Sequence, residues 1–137
     1  MRRELETRGA AGVSVSSAGT GAWDGANASE GAYLVSLEND LDLSQHRARL
    51  VTRELVDKSH LVLTMARHHR TRVHELGGDE KTFVLGEYAG REGGDAEVSD
   101  PFGSPLEVYR ETFAEIRELV AAAVERLIET DSGSRSR

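Results

Sequence analysis

The chain has 137 residues, 38% of them apolar, and its 17 basic and 24 acidic side chains give a net charge of −7. That length suits one compact domain, and the charge weighs against sequence-independent nucleic-acid binding, which needs a basic footprint. There is no cysteine, so disulfides, thiolate metal sites and a cysteine nucleophile are excluded within these residues.

In chain order, Met1-Arg2-Arg3-Glu4-Leu5-Glu6 has no apolar signal core, and no later run approaches the about 18 residues of a membrane span. A cytoplasmic protein is the simplest reading. Residues 2–8 read as the end of a helix closed by Gly9 and Gly12. Val13-Ser14-Val15-Ser16-Ser17 alternates with β-branched residues and predicts a short strand. A glycine-punctuated loop from Ala18 to Gly25 follows, carrying the sole tryptophan, Trp23. Helical spacing covers Ser29 to Glu38, with Ala32, Val35 and Leu34 inward, until Asn39-Asp40 breaks it. Thr52 is placed to cap a helix through Lys58.

Leu61-Val62-Leu63-Thr64-Met65 is a continuous apolar run of strand length, as in a parallel sheet covered on both faces. A basic helix over residues 66–76 ends at Gly77-Gly78, and Thr82-Phe83-Val84-Leu85 predicts a third strand. Gly86 to Glu97 is glycine-rich and charged, which predicts a mobile segment. Ser99-Asp100-Pro101-Phe102-Gly103 places a carboxylate on a proline-stiffened turn, because Pro101 drives Asp100 out of the α region. Ser104-Pro105-Leu106-Glu107 then reads as a capping box. Leu106, Tyr109, Phe113, Ile116, Val120, Ala123, Val124 and Leu127 keep one apolar face on the last helix. The domain is expected over residues 1–130, with a polar, disordered tail over 131–137. Strands alternating with helices predict an α/β domain with a mostly parallel sheet.

Few local signals carry chemistry. Ser17-Ala18-Gly19-Thr20-Gly21 after a strand could cradle a phosphate, but it lacks the P-loop lysine, and a connecting loop explains it as well. His68 and His69 lie at neither three nor four residues from His74, so a metal site is disfavoured and a solvated basic face expected. His46 between polar neighbours reads as structural. Asp100 either shapes its turn or serves as a general acid on a rigid loop.

Together, Ser17-Ala18-Gly19-Thr20 with Trp23, Asp42-Leu43-Ser44 with His46 and Arg49, Leu61-Val62-Leu63-Thr64-Met65, and Asp100-Pro101-Phe102-Gly103 with Tyr109 resemble the low-molecular-weight protein phosphatase family, in family order. The resemblance implies a three-layer α/β fold with helices on both faces of a mostly parallel sheet. It implies a metal-independent, cofactor-free hydrolase acting on phosphotyrosine or phosphoarginine in proteins through a phosphocysteine. Carried over, Asp100 is the general acid and base, Trp23 and Phe102 wall the substrate pocket, and Ser17 and His46 brace the phosphate loop. The family's Cys-x5-Arg loop and the central strand before it have no counterpart here. We therefore expect a misplaced start or a truncation, and a chain inactive as it stands. The alternative is a non-catalytic binding module that kept the scaffold. Losing a central strand would leave a gap of about 9.6 Å between strands 13–17 and 61–65, too wide for backbone hydrogen bonds.

Overall fold

The computed structural model describes residues 1–135 apart from residues 11 and 22. In order, the elements are α1 (Arg2–Thr7), α2 (Glu30–Glu38), α3 (Arg53–Lys58), β1 (Val62–Thr64), α4 (Arg67–Glu75), β2 (Thr82–Val84), α5 (Leu85–Tyr88), a 3-10 turn (Gly93–Ala96) and α6 (Leu106–Arg135).

The caps form where side chains can supply them. Ser29 Oγ accepts from the Ala32 N–H at the start of α2, and Thr52 Oγ1 from the Leu55 N–H at the start of α3. Gly9, at φ 73°, lets the chain turn back after α1. The sheet is parallel, with Leu63 opposite Phe83. Strand alternation sends Leu61, Leu63, Met65 and Phe83 to one face, where they pack beside Leu85, Tyr88, Leu119 and Ala123 of α5 and α6. The other face carries Thr82, which closes around Gly78 with Val56 of α3 and Val73 of α4. Helices therefore cover both sides of a small parallel sheet, as the apolar run at Leu61–Met65 implies.

Several expectations are corrected. Among the described residues, 13–17 form no strand. Arg2 donates from Nε and Nη2 to the Val15 carbonyl at 3.0 and 2.7 Å, and Arg49 Nε donates to the Ser17 carbonyl at 3.0 Å. Two guanidinium groups thus take the place of a neighbouring strand. Just beyond this segment, Gly19 forms an isolated parallel bridge with Leu50.

The segment expected to be mobile is packed near its two ends, while residues 92–95 between them are exposed. Gly86, Tyr88, Ala96 and Val98 are buried, and glycine at 86 is required because the Ala96 backbone lies against it. Nor is the capping box seen: α6 begins at Leu106, and the Ser104 N–H donates to the Pro101 carbonyl at 2.8 Å, closing the Asp-Pro turn instead. From Asp131 to Arg135 the expected tail continues α6, since extending a nucleated helix adds one hydrogen bond per residue. Residues 136 and 137 lie outside the described residues. On α4, His68 is exposed, but His69 and His74 are half-buried, so the helix face is not uniformly solvated.

The sheet has two strands, and the Val15 and Ser17 carbonyls bond to arginines at the surface, which water can replace. We expect a thermal transition well below the about 60 °C common for mesophilic domains. A cooperative calorimetric transition at or above that temperature would refute this.

Candidate active site

The Asp100 turn is positioned by two backbone attachments at the carboxyl end of β1. The Val98 N–H donates to the Met65 carbonyl at 2.8 Å, and the Arg67 N–H donates to Glu97 Oε1 at 2.9 Å. Glu87 adds charge pairs to Arg67 and Arg70, each at 3.1 Å. Residues 97 and 98 are thereby strapped beside residues 65–67, at the end of a parallel sheet where α/β folds place their ligands. Beyond the strap, Asp100 Oδ1 accepts from the Phe102 N–H at 3.0 Å. Gly103, at φ 80°, completes the bend, a conformation that suits glycine.

Asp100 is exposed and commits one carboxylate oxygen to its turn. The second has no partner among the described residues, so one side chain both shapes the loop and presents an oxygen able to carry a proton. Phe102 stands beside it with its surface 76% exposed.

The second half is built on a loop stitched to the segment before α3. Gly19 N–H donates to the Arg49 carbonyl and Val51 N–H to the Gly19 carbonyl, while Gly25 N–H donates to the Ala48 carbonyl. Asp24 Oδ1 accepts from the Leu50 N–H at 2.6 Å. Trp23, between these attachments, is 84% exposed. Beneath the loop, Ser17, Gly19, His46 and Arg49 line an open recess of about 210 Å³. Just upstream, Asp42 Oδ1 accepts from the Ser44 N–H at 2.8 Å, which holds the Asp42 carboxyl below its ordinary value.

Ser17 and His46 are therefore brought together, and Asp100 and Phe102 share one turn. No hydrogen bond among the described residues joins the two halves. Two contacts escape sequence reasoning. Arg49 belongs to the motif, but its clamp on the Ser17 carbonyl is seen only in the fold. His69 caps α4 from inside, its Nδ1 accepting from the Ala66 N–H at 3.2 Å, and alanine at that position gives no capping signal. Among the described residues there is no cluster of three or more groups able to hold a metal ion.

Comparison with known proteins meets this geometry. The family model for low molecular weight phosphotyrosine protein phosphatase matches residues 1–132. A protein-arginine-phosphatase of Geobacillus stearothermophilus is 34% identical over 125 residues, covering 90% of this chain and 82% of the relative. The low molecular weight protein-tyrosine-phosphatase Wzb of Escherichia coli is 33% identical over 108 residues, covering 79% of this chain and 69% of the relative. In three dimensions, the chain is similar to a YwlE mutant from Bacillus subtilis, with a TM-score of 0.80 at 29% identity, over 92% of this chain and 84% of that one. The low molecular weight protein tyrosine phosphatase from T. tengcongensis aligns with a TM-score of 0.76 at 34% identity, over 94% and 84%. The chain belongs to the low molecular weight phosphotyrosine protein phosphatase family, a family of phosphatase hydrolases.

Proposed function

We propose that this chain provides the scaffold, general acid and pocket walls of a cytoplasmic protein phosphatase acting on phosphotyrosine or phosphoarginine. The Cys-x5-Arg loop that such an enzyme needs is not among these 137 residues, and the reading requires that it be supplied. The observation that carries this reading is the Asp100 turn, strapped at the carboxyl end of β1 with one carboxylate oxygen uncommitted. The loop's thiolate attacks phosphorus while the bond from phosphorus to the leaving oxygen or nitrogen breaks. Asp100, protonated, gives its proton to that leaving atom. Its carboxylate then takes a proton from water as the water attacks the phosphocysteine, which releases phosphate and restores the thiolate. Trp23 and Phe102 wall the substrate, and Ser17 and His46 brace the loop from the recess they share.

The sequence without cysteine favours a second reading, in which the chain is a non-catalytic module that binds phosphorylated proteins. One experiment separates the two. The chain is extended upstream by a strand and a Cys-x5-Arg loop and assayed on an aryl phosphate and a phosphoarginine peptide. Hydrolysis that disappears when the loop cysteine becomes serine supports the enzyme. Absence of hydrolysis in a folded, extended chain supports the module.

A further inference from the structure

The start of α4 is electrostatically mismatched. A helix dipole favours anions there, yet the first turn carries Arg67 and Arg70 and no acidic residue. Ala66 at the N-cap has no side-chain oxygen to offer. The negative charge comes instead from Glu97, 30 residues on. Its Oε1 accepts from the Arg67 N–H at 2.9 Å and lies 3.5 Å from Arg67 Nη1. The same guanidinium reaches further. Nη2 donates to the Gly93 carbonyl at 3.0 Å and pairs with Glu87 Oε1 at 3.1 Å, while Arg70 holds the other Glu87 oxygen at 3.1 Å. α5, the 3-10 turn and residue 97 are thus drawn to one end of α4. All four charged side chains are half-buried, and ion pairs of that kind add little to global stability. What they fix is a position. Val98, next to Glu97, is buried and bonded to Met65, and only Ser99 separates it from Asp100. Two trans peptide links span at most about 7.6 Å, and Pro101 restricts how Asp100 can turn.

We propose that Glu97 is a positioning residue for Asp100. Its carboxylate caps α4 and grips the Arg67 guanidinium, which fixes the chain three residues ahead of the Asp100 side chain. The role of Asp100 rests on the phosphatase reading above, but its placement by Glu97 is a property of this chain alone. The Arg67 N–H needs an acceptor at position 97, and the guanidinium needs a charge there. Glutamine supplies the first and not the second, and alanine supplies neither.

The test is nuclear magnetic resonance on this chain as it stands, which needs no catalysis. The Phe102 N–H, bonded to Asp100 Oδ1, reports the turn. Glu97→Ala should displace that resonance and speed solvent exchange of the Arg67 N–H. Glu97→Gln should bring Phe102 most of the way back. Thr52→Ala, which removes the cap of α3 instead, controls for general loosening and should leave Phe102 in place. Arg67→Ala keeps the N–H and loses only the guanidinium. It should move Phe102 in the same direction by less, and it decides the matter if Glu97→Ala does not fold. A Phe102 resonance that stays in place in either variant, or moves as far in Thr52→Ala, overturns the proposal. In the extended chain, Glu97→Ala should lower kcat by about 10- to 100-fold with KM held, the cost of a misplaced group. In the Asp100→Asn background it should cost nothing further, because Glu97 acts through Asp100. A further loss there also overturns the proposal. Absence of hydrolysis by the extended chain itself would instead count against the phosphatase reading and leave the Phe102 result untouched.

Discussion

In the chain extended by a Cys-x5-Arg loop, Asp100→Asn is expected to lower kcat by about 10² to 10⁴-fold, the usual worth of a positioned general acid. That range corresponds to about 2.7 to 5.5 kcal/mol of barrier. The substitution is selective. Asparagine retains a carbonyl oxygen that can accept from the Phe102 N–H, so the turn closed by the Asp100 side chain survives. What it loses is the proton. The loss should therefore grow with the basicity of the leaving group: modest for a nitrophenyl phosphate, whose phenolate departs readily, and larger for phenyl phosphate. Equal rates for the two proteins on phenyl phosphate would remove Asp100 from the mechanism. A uniform loss across leaving groups would mean that the turn, and not its proton, had been damaged.

The features that were legible in the sequence are those whose causes are local. Thr52 caps α3 through the Leu55 N–H three residues on, so its hydroxyl announces that helix directly. The apolar run at Leu61–Met65 marks β1 because a strand covered on both faces has no polar side to show. The Asp100 turn was legible because proline and an Asx bond act within a few residues. Residues 13–17 misled for the opposite reason. Their β-branched pattern states a preference, but a strand also needs a neighbour, and here that role falls to Arg2 and Arg49. The recess joining Ser17 to His46 is invisible to local reasoning, since it depends on the pairing of Gly19 with the segment before α3. Only the family resemblance brought the two residues together in advance.

Glycine at position 86 carries the second large expectation, because the Ala96 backbone packs directly against it. A Cβ there would lie 2.0 Å from the Ala96 carbonyl oxygen and 2.5 Å from its carbon, distances that no packing tolerates. The obstacle is backbone, and Ala96 is wholly buried, so no side-chain rotation relieves it. At Gly31 the comparable contact is the ring of Tyr109 at 2.5 Å, a buried side chain and not backbone, so less of the chain must move. Gly86→Ala would gain up to about 1 kcal/mol of helix propensity in α5. Overpacking typically costs about 1 to 3 kcal/mol, and more where backbone must move. We therefore expect a net loss of about 2 kcal/mol or more in urea unfolding, with Gly31→Ala losing less. Where total stability is of the order of about 5 kcal/mol, that is a large share. The displacement also has a direction. Ala96 directly precedes Glu97 and Val98, the two attachments that hold the Asp100 turn against β1 and α4. Gly86→Ala should therefore shift the Phe102 amide resonance under fully folding conditions, at a residue it does not touch. If stability falls while that resonance stays in place, the strap and the Asp100 turn are mechanically independent of α5.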